Sequence, residues 1–174
     1  MESHNHARLI ASLLPDSVAK TWAAAQYEWE LHKIQILRDF DAETGEMVTH
    51  GTSVCRCGHE PIVELCILKN KENGNEAVVG NVCVKKFLGI DNGELFQGVK
   101  RIQKNINAAP NRSIIHYAWD RKLIPSEHEL AVLQRSTRID FAKLNDYQRA
   151  KRVTFNRMIL AHFAGKEKAA TSAA

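Results

Sequence analysis

The stretch Cys55-Arg56-Cys57-Gly58-His59, answered downstream by Gly80-Asn81-Val82-Cys83, decides how this chain folds. Three cysteines and a histidine bracket a segment that reads as a β-hairpin. Ile62 to Lys69 is an apolar-rich strand, Asn73-Gly74 is a strong hairpin signal, and Ala77 to Val79 is the returning strand. A hairpin brings its ends together, so Cys83 is expected to meet Cys55 and Cys57. Gly58 permits the tight turn that aims both sulfurs of the Cys-x-Cys pair at one point. Val82 to Leu88 reads as the start of a short helix or a turn; if Cys83 opens a helix, the N–H groups there would stabilise its thiolate. Soft ligands gathered in this way suit a structural Zn2+ ion, which takes four of them in a closed tetrahedron. The competing reading is three buried thiols and a surface histidine.

The fourth ligand has two candidates, His59 and Cys66. His59 shares the turn of Cys57. Cys66 lies mid-strand, nine positions beyond Cys57, and a strand's rise of about 3.3 Å per residue carries it away from that turn. His59 is therefore preferred and Cys66 is the alternative, a small buried hydrophobe if unused.

Upstream, Leu9, Ile10, Leu13 and Leu14 have helical spacing until Pro15. Asp16 and Ser17 are expected to cap a second helix running through Val18, Trp22 and Ala25. Tyr27 to Phe40 reads as a strand whose two faces are both mixed, and Asp41 to Gly45 is turn chemistry. Downstream the chain is helical. Asp91 or Asn92 opens a helix with Leu95, Phe96, Val99, Ile102 and Ile106 on one stripe, ended by Pro110. Ile114, Ile115, Ala118 and Trp119 suggest a short helix, and Lys122 to Pro125 a turn. Ser126…Glu129 and Asn145…Gln148 are capping boxes, the second opening a helix to about Phe163. The expected fold class is α+β: a small β-hairpin zinc unit, of zinc-ribbon or treble-clef type, packed with N- and C-terminal helices. Its expected parts are N-terminal helices over 1–26, the zinc hairpin over 27–90, a basic helical region over 91–164 and a disordered tail over 165–174.

With 174 residues, 44% hydrophobic and 25% charged, the chain can build an ordinary core. No apolar run approaches the roughly 18 residues of a membrane span, and Met1 to Arg8 lacks the pattern of a secretory signal. Four cysteines in that context point to metal or free thiols rather than disulfides, and to the cytoplasm. Charge is unevenly placed. Residues 1–100 carry 10 Lys/Arg against 14 Asp/Glu, or −4; residues 101–174 carry 14 against 6, or +8; the sum is the overall +4. The basic half predicts a polyanionic partner, DNA or RNA, against the simpler reading of a solvated helix surface. Arg149, Lys151, Arg152 and Arg157 are the candidate phosphate contacts. Tyr117, Trp119 and Tyr147 are candidates to stack bases, with core packing the preferred role for Trp119.

Catalysis has no foothold. Glu60 follows His59, yet the H-x-E and P-C-x-x-C spacings of zinc deaminases are absent, as are H-E-x-x-H, G-x-S-x-G and G-x-x-x-x-G-K-[ST]. His32, His50, His116, His128 and His162 are scattered. No catalytic residue is assigned, and a non-enzymatic protein is expected.

The block from Cys55 through Glu64-Leu65-Cys66-Ile67-Leu68-Lys69-Asn70 and Asn73-Gly74 to Gly80-Asn81-Val82-Cys83-Val84-Lys85-Lys86-Phe87 resembles a recurrent zinc-binding motif. The motif belongs to small phage, prophage and bacterial proteins that share C-x-C-G, a hairpin with an Asn-containing turn, and G-x-x-C-x-x-x-F. Glu28-Trp29, Lys122-Leu123-Ile124-Pro125 and Leu144 to Gln148 resemble their flanking segments, extending the likeness over residues 27–163. The resemblance implies zinc on Cys55, Cys57 and Cys83 and a nucleic-acid context, with no defined reaction. The alternative is a phage-type protein-binding inhibitor or modulator of a host enzyme or defence complex, similar in role to anti-CRISPR proteins. The acidic residues Asp39, Asp41, Glu43 and Glu46 would then mimic nucleic acid for a basic partner.

Overall fold

A computed structural model describes residues 4–89 and 91–164 and shows the α+β class that the sequence predicts. The expected tail over 165–174 lies outside the described residues. Two compact units divide the chain, the first made of residues 4–41 and 45–92, the second of 93–164 with 42–44.

The first unit opens with α1 (His4–Leu13), which buries Leu9 and Leu13, and the single turn α2 (Trp22–Ala25). Between them the expected capped helix does not form. The backbone N–H groups of Val18 and Ala19 donate instead to the Glu28 carboxylate at 2.9 and 2.7 Å. Ser17 Oγ donates to the Leu13 carbonyl and accepts from the Trp29 indole, which leaves it no role as a cap.

Strand β1 (Trp29–Ile36) explains its own mixed pattern. Leu31 pairs with Leu68 but Lys33 pairs with Ile67, so His32 is an extra residue, a bulge. A bulge shifts the alternation by one. Trp29 is buried on the odd phase before it, and Ile34 and Ile36 on the even phase after it. Next come β2 (Arg38–Phe40) and β3 (Met47–Thr49), a separate two-stranded ribbon turned at Asp41–Gly45, where Gly45 adopts φ 73°. The main sheet has the antiparallel order β1-β4-β5, with β4 (Glu64–Asn70) in the centre and β5 (Glu76–Gly80) at the edge. β4 buries Leu65, Cys66 and Leu68, and β5 buries Ala77 and Val79. Helix α3 (Asn81–Leu88) leaves β5 without a loop and stops at Gly89, whose left-handed φ of 68° is open to glycine.

The second unit is helical: α4 (Gly93–Lys104), α5 (Arg112–Asp120), α6 (Glu127–Ser136) and α7 (Asp146–Phe163). Leu95, Phe96, Val99 and Ile102 of α4 form the buried stripe that the spacing predicts, but Ile106 lies beyond it, because the helix ends at Lys104 rather than at Pro110. Ser126 caps α6, and Asn145 with Gln148 completes the full reciprocal box at the start of α7. Asn111 caps α5 through Ile114 N–H and also donates to the Glu94 carbonyl. It fits there because residue 98 is glycine: a Cβ would stand 2.6 Å from its amide oxygen. α7 also buries polar side chains: the Asn156 amide donates to the carbonyls of Ile106 and Ala108 at 2.7 and 2.9 Å, and the Tyr117 hydroxyl meets His162 Nε2 at 3.0 Å. The two Asn156 bonds satisfy carbonyls that the irregular Asn105–Pro110 connection leaves without helical partners.

Candidate metal centre

A tight turn at Cys55–Gly58 presents the first two sulfurs. Gly58 N–H donates to the Cys55 carbonyl at 2.7 Å and Cys55 N–H to the His59 carbonyl at 2.9 Å. Gly58 sits at φ 83°, a backbone state that costs any other residue strain. Just outside, Ser53 and Ile62 exchange two hydrogen bonds of 2.9 Å and close the base of the loop. The loop is pinned to β5 where Arg56 N–H donates to the Val78 carbonyl at 3.0 Å and Gly80 N–H to Cys55 Sγ at 3.2 Å. Arg56 also pairs with Asp16 at 2.9 Å. The third sulfur comes from Cys83, third residue of α3.

The ligand atoms of Cys55, Cys57 and Cys83 all lie within 4.8 Å of one another, and all three residues are buried. Cys57 and Cys83 Sγ stand 3.4 Å apart. A disulfide holds its sulfurs about 2.05 Å apart, so these are free thiols, close enough to share one ion. The three cysteines could hold a metal ion. Burial pushes the Cys55 thiol up, only partly offset by the Gly80 N–H, and burial together with the neighbouring sulfurs pushes Cys83 up. Burial opposes ionisation of Cys57 as well, but the His59 N–H and the two adjoining thiols outweigh it and hold Cys57 below its ordinary value. A set of donors that is costly to ionise alone, with one member already poised to do so, is what a cation completes.

Neither candidate for the fourth ligand joins the three-sulfur set among the described residues. His59 is exposed, but it lines the same cavity as Cys55 and Cys83, an opening of about 220 Å³ that also touches Glu64 and Asn81. Cys66 is fully buried opposite Val79, receives the Asn92 amide on its sulfur at 3.7 Å, and has its thiol pushed up to about 12 by burial. Glu64 is occupied by Arg38 at 2.6 Å.

The four candidate phosphate contacts do not form one surface. Arg152 is 2% exposed; its guanidinium donates to the carbonyls of Ser136, Ile139 and Asn107, which corrects its assignment as a phosphate contact. Helical periodicity places it on a face, and that face is packed against the end of α6. Lys151 is bonded to Glu129, and Arg149 donates to the carbonyls of Phe141 and Ala142. Arg157 alone of the four is exposed and without a side-chain partner among the described residues. The aromatic expectations also change places. Tyr117 is buried, whereas Trp119 is 36% and Tyr147 53% exposed.

Sequence reasoning missed Glu28 and Asn70 at the other end of the sheet. Glu28 accepts from the N–H groups of Val18 and Ala19 and, at 2.7 Å, from the Asn70 amide. No helix among the described residues is long and apolar enough to cross a membrane. Comparison of the chain with protein-family models, with curated proteins and with solved structures gave no match in any of the three.

Proposed function

We propose that this chain is a non-enzymatic, zinc-binding accessory protein that associates with nucleic acid. One observation carries the metal: three buried thiols gathered within 4.8 Å by a turn and a helix that no covalent bond joins. Two thiolates on one tetrahedral zinc, each about 2.3 Å from it, stand ~3.8 Å apart, close to the 3.4 Å between Cys57 and Cys83. A turn bearing two ligands, a hairpin, and a third ligand in the first turn of the next helix make a zinc-ribbon or treble-clef-like unit. His59 completes the set by swinging its ring across the cavity that it shares with Cys55 and Cys83; Cys66 would have to leave a filled position. Such an ion is a staple, holding the turn, β5 and α3 as one piece.

Support for nucleic acid is the +8 excess of residues 101–174, 14 Lys/Arg against 6 Asp/Glu. A protein partner is the second reading, favoured by Val54 and Val82, which neighbour Cys55 and Cys83 in the chain and are 51% and 76% exposed. Elemental analysis of the purified protein tests the metal, with one zinc per chain expected; a metal-free, fully folded protein would remove it. Titration with DNA and RNA over a salt series tests the partner, and absence of binding at low salt would turn the reading to protein.

A further inference from the structure

Helices α5 and α6 turn two complementary stripes toward one cleft. From α5 come Arg112, Ile115, His116 and Trp119, spaced three and four apart on a single face. From α6 and the residues just after it come Leu130, Gln134, Thr137 and Arg138. The cleft holds about 530 Å³, within the range of about 300–1,000 Å³ typical of small-ligand sites. Its floor is apolar, Ile115 being 5% exposed. Its walls carry two guanidinium groups, an indole, a side-chain amide and an imidazole, the last paired with the Asp120 carboxylate at 3.0 Å.

Two details separate this cleft from an ordinary gap between helices. Most cations of the second unit that lie near its core are committed to protein groups, Arg149, Lys151 and Arg152 among them. Arg112 and Arg138 have no side-chain partner among the described residues. Arg112 also stands in the first turn of α5, where the helix dipole disfavours a cation and favours an anion. Trp119, large and apolar, is 36% exposed and stacks on no other ring or cation among the described residues. Arg112, Arg138 and Trp119 thus line one and the same cleft.

We infer that the α5–α6 cleft binds a nucleotide, with its base against the Trp119 indole and its phosphate between Arg112 and Arg138. An aromatic face accepts any base, guanidinium groups take phosphate oxygens in pairs, and the Gln134 amide offers both a donor and an acceptor to a base edge. The site deepens the nucleic-acid reading above, on which it rests for its polymeric partner. The same chemistry is carried by a free mononucleotide and by a nucleotide within a single strand.

Fluorescence anisotropy with labelled oligodeoxythymidylate and oligouridylate, over a salt series, and calorimetry with free AMP distinguish the two. Wild type is compared with Trp119→Ala and with the double variant Arg112→Ala/Arg138→Ala. Both arginines are exposed and unpaired, so the double variant keeps its fold, as circular dichroism would check. In the supporting result, Trp119→Ala weakens oligonucleotide binding roughly tenfold, and the double variant lowers the slope of log affinity against log salt by about 1.4, two phosphates' worth. Oligonucleotide binding unchanged in both variants overturns the cleft and leaves the nucleic-acid reading standing. AMP binding that both variants lose, without oligonucleotide binding, keeps the cleft and removes the polymer. No binding of either probe by wild type overturns both.

Discussion

At its open end the β4–β5 hairpin meets three thiols; at its turn it meets a carboxylate and an amide. The turn end is complete in protein atoms. Glu28 accepts three N–H donors, from Val18, Ala19 and Asn70. Asn70 Oδ1 accepts the N–H groups of Glu72 and Asn73 inside the turn, and the Asn73 and Asn75 amides reach the Asp16 carbonyl. The Asn70 hydrogen bond, against the opposition of burial and with help from the two backbone N–H groups, holds the Glu28 carboxyl below its ordinary 4.5. The thiol end is the reverse case, since burial pushes Cys55 and Cys83 up. One end is finished by folding, while the other brings together three thiols that could hold an ion. The hairpin should therefore loosen from one side only when metal is withheld.

The largest expected effect follows directly. Cys55→Ser or Cys83→Ser should lose the metal and unfold the first unit, because a structural zinc contributes about 10–16 kcal/mol of binding free energy where a whole domain is stable by about 5–15 kcal/mol. Metal content and thermal unfolding measure this. Full metal content and an unchanged melting temperature in both variants would erase the difference between the two ends.

The thiol end was legible and the turn end was not, for physical reasons. Cysteine is rare and chemically distinct, and Asn73-Gly74 announces the fold-back that unites Cys55, Cys57 and Cys83, so pattern and chemistry agree. Glu28 and Asn70 are 42 residues apart, and ordinary polar residues carry no signal that they will meet. Where a helix was expected from Ser17, the same Glu28 carboxylate holds the N–H groups of Val18 and Ala19. The mixed faces of β1 were a true signal of the His32 bulge, recognisable only once the Leu68 and Ile67 pairings are seen. In the second unit the caps at Ser126 and Asn145 were local and readable. The burial of Arg152 was not, because a helical wheel gives a face and leaves open what covers it.

The next effect should appear at the turn. Asn70→Ala removes a buried amide and strands the turn N–H groups, at about 3 kcal/mol, while metal content stays at the wild-type level. Glu28→Gln should also destabilise, since its amide N–H₂ would face donors. Acid adds a second handle. A carboxyl whose folded pKa is depressed contributes stability fully present above its unfolded value and lost as pH falls through the folded one. The Glu28 contribution should therefore disappear below pH 4.5. Wild type and Glu28→Gln should then converge in stability toward low pH; an equal gap at pH 7 and pH 3 would show that Glu28 acts by packing rather than charge.

The finest distinction lies within the thiol end, between His59 and Cys66. Loss of an outer partner of a metal ligand alone costs about 10–100-fold in affinity, so if His59 is the fourth ligand as proposed, His59→Ala should weaken zinc by more than about 100-fold in a competition assay with a chelator. Cys66→Ala should leave that affinity unchanged and cost about 1 kcal/mol of stability, the loss of one small buried side chain. The reason is positional. Cys66 sits on the central strand at full burial, its sulfur already engaged by Asn92, a contact that joining the other three would give up. His59 has only to rotate over an open cavity. Were zinc to weaken in Cys66→Ala and hold in His59→Ala, the ion would sit on the strand side of Cys55. The open end of the hairpin would then be sealed from within the sheet rather than across its mouth.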